Sequence, residues 1–160
     1  MDSSVPEVVV RVAGPPDIQG LVACSDGLAQ EDGATRDPLR NPGWARQHAA
    51  QEYGQHIVNP DMLVLVAECD ETIVGHLLGG IYGASAMWTA PRAMLISMYV
   101  MPPQRGLNVG SRLVGQFTSW AKAKGAAQLR VTAYTANEGA IRFYQRHGFT
   151  VLDTTLAAPL

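Results

Sequence analysis

Charge is scarce in this chain. Of its 160 residues 16% are charged, with 12 Lys and Arg against 14 Asp and Glu, and the formal net charge is -2 at pH 7. So small a balance gives no reason to expect nucleic acid or an anionic membrane as partner. Long apolar runs are also missing: nothing approaches the roughly eighteen consecutive apolar residues that a bilayer span requires. The opening "MDSSVPEVVV" has no basic region ahead of its short apolar segment, so no secretory signal is indicated and a cytoplasmic chain is expected. There are only two cysteines, Cys24 and Cys69, with neither C-x-x-C nor Cys/His ligand spacing. That argues against a disulfide framework or a zinc site and leaves both as plain small residues. The four histidines have no ligand spacing either, so no metal is expected.

What is present suits an ordinary globular protein. Hydrophobic residues make up 47%, and a chain of this length buries roughly two thirds of its unfolded surface without staples. A single domain over residues 1–160, with one core and one site, is expected. "EVVVRVAG" reads as a strand broken by Gly14, Pro15 and Pro16, after which Asp17 can cap a helix weakened by Gly20 and Gly27. Asp32 to Pro42 is a polar loop, a candidate lid or substrate loop, and Gly43 to Val58 a second helix ended by Asn59-Pro60. "MLVLVAEC" and "TIVGHLLGGIYG" form a tight hairpin with Asp70 and Glu71 at its turn. "AMLISMYV" is continuously apolar and so reads as a strand buried on both faces.

The third helix is the clearest. Val109, Leu113, Val114, Phe117, Trp120 and Ala121 make one stripe, with Gly125 as its stop. "AQLRVTAY" is a strand, Asn137 an N-cap, "EGAIRFYQRH" a short helix, and "FTVLDTTL" a last strand. The order β-α-α-β-β-β-α-β-α-β, without internal repeat, defines one mixed α/β domain.

Two stretches carry chemistry. In "VMPPQRGLNVGSRLV" a strand ends at Pro102-Pro103 and hands over to a glycine-containing turn that opens a helix. Such a turn leaves several backbone N–H groups unpaired and converging, which is how proteins hold anions. Arg105 adds charge, Gly106 and Gly110 permit close approach, and Ser111 offers a hydroxyl: together a pyrophosphate cradle, although a glycine turn beside an exposed arginine is commonplace. Neither the P-loop nor the Rossmann spacing is met. In "NEGAIRFYQRHGF", helical spacing puts Asn137, Ala140 or Ile141, and Tyr144 on one face, so an amide and a phenol point the same way; a tyrosine so placed is usually a packed core residue.

Together, in this order, the two stretches resemble the GNAT superfamily of acetyl-CoA-dependent N-acetyltransferases. The family's R-G-x-G-x-G/A corresponds to Arg105, Gly106, Leu107, Asn108, Val109 and Gly110, and its N-x-x-A-x-x-F-Y-x-x-x-G-F to Asn137, Ala140, Phe143, Tyr144, Gly148 and Phe149. The resemblance implies a mixed central sheet of about six strands and about four helices, splayed at the cofactor site. It implies coenzyme A pyrophosphate on the backbone of Arg105 to Ser111, including Val109, and pantetheine paired with the backbone of Met98 and Val100. An amine would attack acetyl-CoA directly where the buried strand and "LRVTAY" diverge, with Tyr144 as general acid to the thiolate and Asn137 holding its helix near the pantetheine. Tyrosine's ordinary pKa near ~10 keeps it protonated for that task.

Two departures stand out. Asn108 replaces the central glycine, where a positive φ is expected; asparagine is the side chain that tolerates it best. Only "FTVLDTTLAAPL" follows Gly148, so an open sheet edge and a homodimer through it are expected. No general base is legible: Met94, Ser97 and Tyr99 stand where relatives often carry glutamate, and Glu31, Asp32, His76 and Glu68 remain candidates. Trp44, Tyr53, Tyr82, Met87 and Trp88 either line an acceptor pocket, with Glu31 and Asp32 as partners for a cation, or simply pack. A small-molecule amine is the expected acceptor, a protein amine the second choice. A non-catalytic acyl-CoA sensor of the same fold, or a different acyl group, is the competing reading.

Overall fold

The computed structural model of the chain describes residues 6–160. Five strands, β1 (Val8–Val12), β2 (Met62–Cys69), β3 (Thr72–Tyr82), β4 (Arg92–Val100) and β5 (Gln128–Val131), form one sheet in the order β1-β2-β3-β4-β5. All neighbours are antiparallel except β4 and β5. A parallel pair needs a long crossover, and helix α3 (Val109–Ala123) supplies it. The mixed α/β architecture expected from the sequence is therefore present, with one strand fewer than the six anticipated.

Strand alternation divides the core in two. Leu63, Leu65 and Ala67 of β2, with Leu77 and Leu95, pack against Val109, Leu113, Phe117 and Tyr144 of α3 and α4 (Glu138–Arg146). Val64 and Val66, with Leu78, face Leu21 of α1 (Ile18–Thr35) and Tyr53 of α2 (Ala50–Val58), which a π-helical stretch, Ala45–Ala49, precedes. Phe117 is fully buried, a contribution of about 3 kcal/mol by area.

Gly20 and Gly27, which weaken the helical reading of α1, are there because the helix lies so close to the sheet. A Cβ on Gly20 would stand 2.5 Å from Ile73, and one on Gly27 2.8 Å from the Tyr99 ring. The helix also runs past Asp32, where the sequence suggested a loop, to Thr35, held by an Asp32–Arg36 ion pair at 2.9 Å. The hairpin is as tight as expected: Asp70 and Glu71 both have positive φ, the pattern of a type I′ turn, and Cys69 pairs with Thr72.

The last strand is absent. Residues 150–160 form no secondary structure, and Val151, Leu152 and Leu156 are exposed. Their β-branched composition suits a strand, but a strand needs a ladder partner, and β5, shorter than the eight residues of "AQLRVTAY", offers only four. Among the described residues no helix is long and apolar enough to cross a membrane.

Candidate active site

The sheet opens at its centre. The β4–β5 ladder ends at Leu95 and Val131. On the other side of β4, pairing passes from Leu78 with Ser97 to Gly79 with Leu95, which leaves Ile96 as the extra residue of a bulge. Ile96 is 45% exposed, and the residues after it on β4, Ser97 to Val100, are only partly buried. The expectation of a strand buried on both faces thus fails in its second half, because β5 has peeled away. Met101 N–H bonds to the Val74 carbonyl on β3, and direction alternates along an antiparallel strand, so the main-chain groups of Met98 and Val100 face the open edge.

Beyond β4 the chain makes a 3-10 turn, Pro102–Gln104, and then the motif turn. Gly106 has φ 79° and Asn108 φ 64° with ψ 12°, the left-handed conformation anticipated for asparagine at this position. The Asn108 side chain makes no capping hydrogen bond. The first helical bond runs from Arg112 N–H to the Asn108 carbonyl at 3.2 Å, so the N–H groups of Val109, Gly110 and Ser111 form an open first turn carrying the positive end of the α3 dipole. Val109 buries its side chain beneath them. Gly110 serves helix packing: a Cβ there would lie 3.2 Å from Phe143 of α4. The Ser111 hydroxyl is 3.0 Å from His147 Nε2.

Arg105 finds partners within the protein. Its guanidinium pairs with Glu31 at 2.6 Å, its Nε donates to the Val100 carbonyl at 2.8 Å, and it lies 5.2 Å from the centre of the Tyr99 ring. The Tyr99 hydroxyl donates to the same Glu31 oxygen at 3.4 Å. The side chain thus ties the turn to α1, and sequence spacing carries no sign of a partner so far away.

On α4, the Asn137 side chain accepts from Ala140 N–H at 3.2 Å, the expected N-cap. Tyr144 packs between Phe143 and Phe149, with ring centroids 5.2 and 5.5 Å away. Burial pushes its phenol up to about 12, and among the described residues its hydroxyl has no hydrogen-bond partner.

Most candidate acceptor-side groups are engaged by the protein itself. Trp88 lies under two guanidinium groups, Arg92 at 3.8 Å and Arg130 at 4.7 Å from the ring centre, so it is not free to receive a cation. Tyr53 is core, sharing a 2.8 Å hydrogen bond with Ser25. Asp32 is buried with Arg36, while Trp44 is partly exposed beside His48 and Tyr82 and Met87 are exposed. Asp37, on the loop after α1, accepts from Tyr134 at 3.1 Å and so links that loop to the chain beyond β5. Glu68 pairs with Arg11, and Asp17, held below the usual carboxylate range by hydrogen bonds from Arg11, closes that network. These three residues line a cleft of about 470 Å³ at the β2–β3 turn and the start of α1.

His76 is fully buried on β3, and burial lowers its pKa to about 4. Its Nε2 lies 2.8 Å from Ser97 Oγ, while its Nδ1 has no partner. Ser97 immediately follows the bulge. Only the strand register reveals that these two residues meet, so sequence spacing missed the pair.

The sheet thus splits beside a helix start whose first N–H groups are unpaired. The model for the acetyltransferase (GNAT) family matches residues 31–149, and the chain belongs to that family. Among its relatives is the thialysine N-epsilon-acetyltransferase of Mus musculus, 30% identical over 95 residues, or 54% of this chain and 55% of that one. The spermidine N(1)-acetyltransferase of Thermoplasma acidophilum is 29% identical over 96 residues, 60% of this chain and 55% of that one. The chain spans about half the length of the curated relatives it matches. An aminoglycoside N-acetyltransferase solved in complex with CoA shares the fold at a TM-score of 0.74 and 14% identity, over 100% of this chain and 99% of that one.

Proposed function

We propose that the chain transfers the acetyl group of acetyl-CoA to a primary amine of a small molecule by direct attack. The observation that carries this reading is the open edge of β4 past Leu95, which leads through the motif turn into the free N–H groups that begin α3. Pantetheine lies along Met98 and Val100, and the pyrophosphate on the turn from Gly106 to Ser111. The positive end of a helix with free amides favours phosphate whether or not an arginine side chain joins in. The family relatives that act on thialysine and spermidine support an amine acceptor.

In the reaction the amine nitrogen bonds to the thioester carbon and the carbonyl oxygen gains charge, stabilised by main-chain N–H at the bulge. The C–S bond then breaks, and the thiolate takes the Tyr144 proton while the amine's proton leaves to water. A phenol at about 12 is a weaker acid than an ordinary thiol at about 8.5. The transfer works because the thiolate leaves into the same apolar surroundings that raise Tyr144, and those surroundings raise the thiol as well. The short β5 edge, without a further strand among the described residues, supports a homodimer formed through it.

The test is CoA thiol release from acetyl-CoA with a panel of polyamines, amino-acid derivatives and aminoglycosides. Turnover with at least one is expected. Tight acetyl-CoA binding without turnover on any of them identifies an acyl-CoA sensor instead, and turnover only with a longer acyl-CoA replaces the acyl group.

A further inference from the structure

We infer that Ser97 receives a hydrogen bond from the attacking amine, and that His76 acts as a positioning residue that fixes which way the Ser97 hydroxyl points. This rests on the acetyltransferase reading above. Ser97 is the first residue past the Ile96 bulge, half-buried where the edge of β4 becomes free, and its side chain lies on the α1 face together with His76, Leu78 and Tyr99.

The direction of the hydrogen bonds follows from what is unpaired. His76 has no exposure, and its ring has one partner, Ser97 Oγ at 2.8 Å from Nε2; Nδ1 has none. A buried N–H without an acceptor costs more than a buried lone pair without a donor, so the proton sits on Nε2 and His76 donates to Ser97. The Ser97 hydrogen must then point elsewhere.

In that arrangement Ser97 Oγ has accepted one hydrogen, and its own points away from His76. A lone pair remains for a ligand beside the point where the β4 edge becomes free. An amine that donates one N–H to it is held with its nitrogen lone pair free to meet the acetyl carbon, the alignment that makes direct attack efficient. No proton moves between the two residues: His76, fully buried with Ser97 as its one partner, acts as a fixed dipole rather than as a general base.

Nitrogen-15 NMR of the full-length protein, with the His76 signals assigned through His76→Gln, tests the tautomer: protonated Nε2 and bare Nδ1 at pH 7 are expected, and the reverse overturns the inference. With an amine that the wild type acetylates, Ser97→Ala should lower kcat/KM for the amine about tenfold, as expected for an ordinary hydrogen bond. The KM for acetyl-CoA should stay within about twofold. Ser97→Thr, which keeps the hydroxyl, should recover most of the loss, and His76→Gln, whose amide nitrogen can stand in for Nε2, should keep more activity than His76→Leu. Unchanged amine kinetics in a folded Ser97→Ala variant overturn the inference and leave the acetyltransferase reading standing. A wild type that acetylates no amine overturns both.

Discussion

Replacing Tyr144 by phenylalanine separates the phenol's chemical role from its packing. The ring is held by Phe143 and Phe149, while the hydroxyl has no partner among the described residues. Losing it removes no protein hydrogen bond, so stability should change by less than about 1 kcal/mol, or about 3 °C in Tm. Acetyl-CoA affinity by calorimetry should stay within about threefold. If the phenol protonates the departing thiolate, kcat for thiol release should fall by about 10² to 10⁴. Because burial raises the phenol to about 12, the wild type should lose no activity through Tyr144 ionisation between about pH 7 and 10. A Tyr144→Phe variant with wild-type kcat refutes the assignment. A variant with lowered Tm and lost acetyl-CoA binding shows that the residue acts through packing.

Three further outcomes test the fold and the turn. The folded-state pKa of His76 is lowered from 6.5 to about 4, so its contribution is present above pH 6.5 and is lost as pH falls through about 4. Stability by denaturant titration should drop by up to about 3 kcal/mol over that window, and less in His76→Gln. Asn108→Gly keeps the left-handed turn at no steric cost and should bind acetyl-CoA as tightly or a few-fold tighter, whereas β-branched Asn108→Val should destabilise by about 1 to 2 kcal/mol and weaken binding; weaker binding by Asn108→Gly counts against this view of the turn. Gly79→Ala puts a Cβ 2.5 Å from the Phe117 ring and should destabilise by about 1 to 3 kcal/mol in thermal melts, with partial rescue by Phe117→Leu.

Legibility followed the range of the interactions. The hairpin, α3, the Asn137 cap and the left-handed Asn108 depend on neighbours a few residues away, and the sequence displays them directly. The glycines of α1 misled, because their reason lies in Ile73 and Tyr99, on strands that reach the helix only after folding. The Arg105 side chain follows the same logic: the motif spacing describes a backbone turn, while Glu31 lies 74 positions away along the chain. His76 and Ser97 are 21 apart, and a one-residue slip in register would separate them. The composition of "FTVLDTTL" suits a strand, but composition carries no information about whether an edge is available to pair with it.

The most direct measurement of the cofactor site is an amide NMR titration of the full-length protein with acetyl-CoA. The largest shifts should fall on Met98, Val100 and the amides from Gly106 to Ser111, in a pattern that saturates at one equivalent. Shifts centred instead on the cleft lined by Arg11, Glu68 and Glu71, or none at saturating acetyl-CoA, would contradict the placement of coenzyme A along the open edge of β4.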